Sequence, residues 1–199
     1  QEVAIVHPAK SGWGDYPRPT GEIIFPSEVE NDNVSYTGSA IGDSTFRHCE
    51  GFTGNSVLPN SIRSIGQKSF NGCHGIDGTL TLPDSLEYLG KGAFHYCNSL
   101  TGIVTFPGTL TEIDSFMFLA SRSITGFEIP SSITHIVPRS LNGSQQLEYI
   151  HVDENNPVYY SENNALIDRD SKVLMVGSQN TVIPEDIVEI GNYAFGESG

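Results

Sequence analysis

The chain has 199 residues, enough for one domain with a sizeable core, and 37% of them are hydrophobic. Its 21 Gly and 11 Pro point to many short elements joined by turns, not to long helices. A formal net charge of −14 argues against nucleic acid or an anionic membrane surface as partner, and no run of about 18 apolar residues is present to span a bilayer.

The opening segment QEVAIVHPAKSGWGDYPRPT, residues 1–20, lacks the basic start and apolar centre of a signal peptide, as an already processed export product also would. It holds the single tryptophan, Trp13, with Tyr16 and three prolines, and is expected to form an N-terminal cap. From residue 21 the chain repeats itself. Prolines closing short apolar runs fall at Pro26, Pro59, Pro83, Pro107, Pro130 and Pro184, in steps of 33, 24, 24, 23 and 54. An aliphatic column accompanies them (Ile41, Ile65, Leu89, Ile113, Ile136, Ile190), then a phenylalanine or leucine column (Phe46, Phe70, Phe94, Phe118, Leu141, Phe195). Phe52, Ile76, Leu100, Ile124 and Leu147 form another column, and Gly54, Gly78, Gly102 and Gly126 recur every 24 residues. Several columns in one register mark an internal repeat. The step of 33 is one copy plus an insertion near NDNVSYTGS. The step of 54 contains the strand LEYIHV without its proline, then ALIDRDSKVLMV (165–176), two apolar runs flanking a polar turn that read as a β-hairpin.

Within a copy, TLTLP alternates as a strand does, and its proline ends the ladder. In GKGAFHYC the three-residue spacing of Phe94 and Cys97 predicts that both lie on one face of a short helical turn. One strand and one helical turn per copy predict an α/β solenoid, a right-handed leucine-rich-repeat coil: a parallel sheet along one face, helical turns on the other, and a hairpin insertion at about 153–180 within residues 21–199. Neighbouring coils about 4.8 Å apart would share a continuous core.

The pattern LP-x-S-[IL]-x-x-[IL]-G-x-x-[SA]-F-x-x-C-x-x-[IL]-x-G, clearest in LPNSIRSIGQKSFNGC and LPDSLEYLGKGAFHYC, resembles the BspA-like, Treponema-type leucine-rich repeat of bacterial cell-surface proteins. VDENNPVYYSENNALIDRDSKVLMV is similar to the hairpin insertion of bacterial members. The resemblance implies a secreted or surface-attached protein, in some members one that binds host or matrix proteins, with no shared catalytic set.

The residues that could do chemistry read as parts of the repeat. Cys49, Cys73 and Cys97 share a column with Ser121, Ser144 and Ser198, so a small buried filler is expected, and the odd number argues against a disulfide framework. His48, His74 and His95 sit at different offsets from those cysteines and offer no converging metal-ligand spacing. IDRDSK (167–172) lacks the further ligands of a calcium loop, and LGKGAF lacks the spacing of a phosphate loop. The sequons at Asn33 and Asn142 carry little meaning in a bacterial chain. No cofactor, metal or catalytic residue is assigned.

What remains is the face where copies differ. Phe25, Leu58, Leu82, Phe106, Ile129, Val152 and Ile183 are expected to point inward. The preceding residues, Ile24, Val57, Thr81, Thr105, Glu128, His151 and Val182, are expected to point outward. Thr81, Thr105, Glu128 and His151 are thus the candidate protein-binding strip, against the alternative that Thr and Val are there for strand propensity. Tyr159 and Tyr160 are candidate interface anchors, against the alternative that both pack beneath the hairpin. The expected function is a non-enzymatic binding or adhesion module, with host or matrix proteins as ligands, or else a spacer that presents another domain.

Overall fold

The computed structural model describes residues 2–5, 17–25, 28–31 and 33–196, and in these the chain winds into a parallel β-solenoid. The closing proline organises each coil. It cannot donate to the ladder, so the strand ends, and its carbonyl instead accepts a turn bond from the residue three positions on. This recurs as Ile62 N to Pro59 O, Leu86 N to Pro83 O, Leu110 N to Pro107 O and Ile133 N to Pro130 O. The turn redirects the chain into the aliphatic column.

Two parallel ladders run along the stack, where one sheet face was expected. The strands before the prolines pair in register: Ser56–Val57 with Leu80–Thr81, then Gly102–Thr105 with Ile124–Ile129, and that strand with Tyr149–Val152. A second ladder joins the aliphatic column, with Ile41 opposite Ile65, Ile65 opposite Leu89, and Ile113 opposite Ile136.

The Phe turns are not helical, and the expected helical turns are corrected accordingly. No helix occurs among the described residues. Two columns in these turns hold positive φ: Ser44, Lys68, Gly92, Phe116, Arg139 and Tyr193, and four residues later His48, Gly72, Tyr96, Ala120 and Gly143. A right-handed helix cannot pass through residues in the left-handed region. Instead, alternate N–H groups reach the next coil, as in Lys68 N to Lys91 O, Phe70 N to Ala93 O and Gly72 N to His95 O. The residues between them close short local turns, such as Asn71 N to Lys68 O and Cys73 N to Phe70 O. Backbone groups are therefore satisfied between coils, which removes the need for helix.

The turn still delivers Phe94 and Cys97 to the core. Phe46, Phe70, Phe94 and Phe118 stack at centroid spacings of 5.3, 5.1 and 5.5 Å, the last two pairs tilted by only 2° and 3°. Leu141 continues the column and is buried. The inward column also holds from Leu58 to Val152, with Phe25 partly buried, but Ile183 does not follow it. Ile183 is 47% exposed, and Val182 beside it 69%, because residues 181–184 pair with no strand among the described residues.

Both insertions are β-structure. NDNVSYTGS lies largely within the strand Val34–Ile41, which pairs antiparallel with Glu28–Asn31 and parallel with Glu2–Ile5. Trp13 and Tyr16, expected in the cap, lie outside the described residues. The hairpin of 165–176 is present as Ala165–Asp168 paired with Val173–Gly177, and a third strand, Tyr159–Glu162, makes it a meander. Asn163 and Asn164 both take positive φ, as a two-residue hairpin turn requires. The last meander strand pairs in parallel with Glu189–Ile190 and so rejoins the stack. A Cβ at Gly177 would meet the Phe195 ring, which would have to shift to admit it.

Candidate functional site

The outward strip runs over two ladders, which meet between Thr81 and Thr105 through the isolated Thr79–Thr101 bridge. Ladder register places Val57 opposite Thr81, Thr105 opposite Glu128, and Glu128 opposite His151. Val57, Thr81, Thr105 and His151 are exposed and Glu128 is half-buried. Thr105 Oγ1 donates to Glu128 Oε2 at 2.9 Å, fixing that carboxylate along the strip. The neighbouring rings of Tyr149 and His151 lie 6.3 Å apart. Two shallow grooves overlie these residues. One, of about 590 Å³, is bordered by Thr81, Ile103 and Thr105, and the other, of about 320 Å³, by Thr105, Glu128 and His151. The strip changes character along its length, from exposed apolar side chains at Ile24, Val57 and Ile103 to the acid–imidazole pair at Glu128 and His151.

The tyrosines divide. Tyr159 is 4% exposed, and its hydroxyl accepts a hydrogen bond of 2.9 Å from Ile136 N. It occupies the aliphatic column of its coil, and burial raises its pKa, so it belongs to the core and is not an exposed anchor. Tyr160 is half-buried, with Lys172 Nζ 4.7 Å and the Arg169 guanidinium 5.4 Å from its ring centroid.

Cys73, Cys97 and Ser121 share one task, donating to the Phe carbonyl of the coil before, while Ser144 donates to the Ser121 carbonyl. Cys73 Sγ donates to Phe46 O at 3.0 Å and Cys97 Sγ to Phe70 O at 3.1 Å. Ser121 Oγ donates to Phe94 O at 2.8 Å and Ser144 Oγ to Ser121 O at 3.2 Å. All three thiols are free and buried. Burial pushes Cys49 up to about 11 and Cys97 up to about 12, and Cys73 further still. A nucleophilic thiol needs the opposite shift. Burial, and then the nearby cations Arg47 and Lys68 respectively, lower the pKa values of His48 and His95. In the 167–172 turn, burial alone would raise the pKa of Asp168. Hydrogen bonds from Ser171 N and Oγ outweigh it and hold the carboxyl low.

One cluster was not found from the sequence. On the turn face, Lys91 and Arg139 lie 5.2 and 5.8 Å from the Phe116 centroid, and Arg139 lies 4.4 Å from that of Tyr193. Phe116, Arg139 and Tyr193 share a positive-φ column with Gly92. The available signal was large residues standing where another copy has glycine.

The geometry defines a leucine-rich-repeat solenoid. A model of the BspA-type leucine-rich repeat region matches residues 39–166 in six copies, and the chain belongs to that family. A leucine-rich repeat protein of Eubacterium ventriosum is similar in structure, with TM-score 0.65 and 21% identity over 90% of this chain and 51% of its own. The Treponema pallidum leucine-rich repeat protein gives TM-score 0.57 and 28% identity over 65% and 57%. The pneumococcal vaccine antigen PcpA gives 0.59 and 17% over 99% and 56%. The chain thus spans about half the length of the structures it matches. No curated protein matches it. The first two of these are leucine-rich repeat proteins, and no catalytic family is indicated.

Proposed function

We propose that this chain is a non-enzymatic protein-binding module of a secreted or surface-attached bacterial protein, and that Thr81, Thr105, Glu128 and His151 carry the contact. The observation that supports it most is the row itself: Thr81, Thr105, Glu128 and His151, from successive coils, border two adjoining grooves, the last three aligned by ladder register. A solenoid stacks its copies so that such a row becomes an extended surface, with the invariant columns inside. The half-buried Glu128, already held by Thr105, is pre-organised for a donor on a partner protein, a host or matrix protein being the expected class. The description of PcpA as a pneumococcal vaccine antigen is consistent with an extracellular location for this chain. Residues 1–20 we take as the cap of the first coil, a reading supported by the pairing of Glu2–Ile5 with Val34–Ile41.

The test is surface capture of purified matrix and serum proteins by wild type, Thr81→Arg and Glu128→Arg. Both substitutions introduce a long cation at an outward position and should abolish capture while leaving the melting temperature unchanged. Capture that survives both substitutions rules out the strip. Absence of any captured protein favours a spacer role.

A further inference from the structure

Each regular coil lays a Phe turn against the next. After strand Tyr149–Val152 that turn is missing, and the meander strand Val173–Gly177 takes its place between the turn at 138–143 and the turn at 191–196. The regular inter-turn ladder gives way to different bonds: Asn142 Nδ2 donates to Tyr193 O at 2.7 Å, and Gly177 N to Ala194 O at 2.8 Å. A cavity of about 300 Å³ lies at this seam. Val137, Val173 and Met175 give it apolar walls, and Arg139, Asp168 and Ser171 supply polar groups.

Arg139 is the unusual member. Its guanidinium carbon lies 4.4 Å from the Tyr193 ring centroid and 5.8 Å from that of Phe116, and its N–H donors lie in the guanidinium plane. Its Nε is buried and has no hydrogen-bond partner, and neither ion pair among the described residues, Arg63–Glu87 or Lys172–Asp186, includes it. Arg169 shows what a structural arginine does in this protein. Its Nε is also buried and unpartnered, but its terminal nitrogen donates to Asn156 O at 3.1 Å and Tyr159 O at 3.0 Å. In a chain of net charge −14, acids to pair with Arg139 are plentiful, yet none does so among the described residues. Asp168 across the cavity is engaged by Ser171 through Oδ1. Arg139 as a whole is half-buried, and its terminal N–H groups make no ion pair among the described residues; a carboxylate placed there would gain a charge-assisted pair.

We propose that this seam is a second binding site, taking a small carboxylate with an apolar body: the carboxylate accepts from the in-plane N–H groups of Arg139, and the hydrocarbon part lies against Val137, Val173 and Met175. The volume falls at the low end of small-molecule pockets, about 300–1,000 Å³, which selects a ligand of fragment size. The site is independent of the strip on the sheet face.

The test titrates phenylpropionate and its uncharged amide into the whole protein, followed by calorimetry and by the Arg Nε–H resonances. The acid should shift the Arg139 resonance saturably, and the amide should bind at least about tenfold more weakly, as expected for loss of a charge-assisted pair. Arg139→Gln should weaken the acid by a similar factor. Val173→Phe, which fills the cavity and leaves the charge in place, should abolish binding and keeps the test decisive if Arg139→Gln fails to fold. Equal affinity for acid and amide overturns the proposal. So does acid binding indifferent to both substitutions, or no saturable shift in wild type up to about 50 mM, well beyond the millimolar range of weak specific binding.

Discussion

The structural role of the thiols can be tested at Cys97, where Ser and Ala substitutions should part company. Cys97 Sγ donates to Phe70 O at 3.1 Å, and in the next copy Ser121 Oγ makes the equivalent bond to Phe94 O at 2.8 Å. Serine at 97 therefore enters a position the fold already fills with serine, gaining a stronger donor and losing some apolar burial. It should lie within about 1 kcal/mol of wild type. Alanine forfeits the donor, at about 0.5–1.5 kcal/mol, and leaves the space of the sulfur, at about 1 kcal/mol more. Phe70 O keeps its bond from Cys73 N, so the penalty of a wholly orphaned carbonyl does not apply. Cys97→Ala should thus lose about 2 kcal/mol in equilibrium urea unfolding, with an unchanged m-value. An Ala variant as stable as Ser would refute the reasoning. So would labelling of Cys97 by a thiol reagent in the native state.

Two further outcomes concern the same core. Burial holds the Cys97 thiol at about 12 against an ordinary 9.0, so the folded chain keeps a proton that the unfolded chain releases. That stability is whole below pH 9 and is lost as pH rises toward 12, at up to about 1.4 kcal/mol per pH unit. Wild type should therefore lose more stability than Cys97→Ser between pH 9 and 11, and parallel urea midpoints over that range would contradict it. In the ring stack, Phe94→Ala should cost about 3–5 kcal/mol and Phe94→Leu only about 1–1.5, because Leu141 already occupies this column. Equal losses by thermal melting would mean that Phe94 does not sit within a continuous stack.

The stacked columns were legible because each coil must present the same apolar side chain to its neighbour, which writes the period directly into the sequence. Phe70, Phe94 and Phe118 could be named as one row from their spacing alone. The turn conformation was not legible, because a spacing of three suits a helical turn and also a turn with two left-handed residues. Only the mixture of Gly92 and Gly72 with non-glycine residues in those columns hints at the second, and Lys68, Phe116 and Tyr96 obscure it. The second ladder was hidden for a related reason: two-residue strands such as Ser64–Ile65 carry no alternation to detect. Thr105, Glu128 and His151 were legible as neighbours because strand alternation and register fix them, and Thr81 adjoins them across a break between two ladders. The site at Arg139 was not, since it depends on which element fills the gap after a missing turn.

That gap also yields a prediction separating scaffold from site. Arg139 adopts φ 68°, a conformation that costs a non-glycine residue about 1–2 kcal/mol. Glycine relieves this cost, offset by its greater backbone entropy and by the lost interactions with Tyr193 and Phe116, about 0.5–1 kcal/mol each. Arg139→Gly should therefore come out within about 1 kcal/mol of wild type. Arg169→Ala should lose about 2–3 kcal/mol, because the Arg169 guanidinium donates two hydrogen bonds to the carbonyls of Asn156 and Tyr159 beneath the meander. Thermal melts of the two variants decide between a residue that holds the meander down and one that only presents donors beside it. If Arg139→Gly falls as far as Arg169→Ala, Arg139 is part of the scaffold, and its lack of an acidic partner among the described residues carries no message about a ligand.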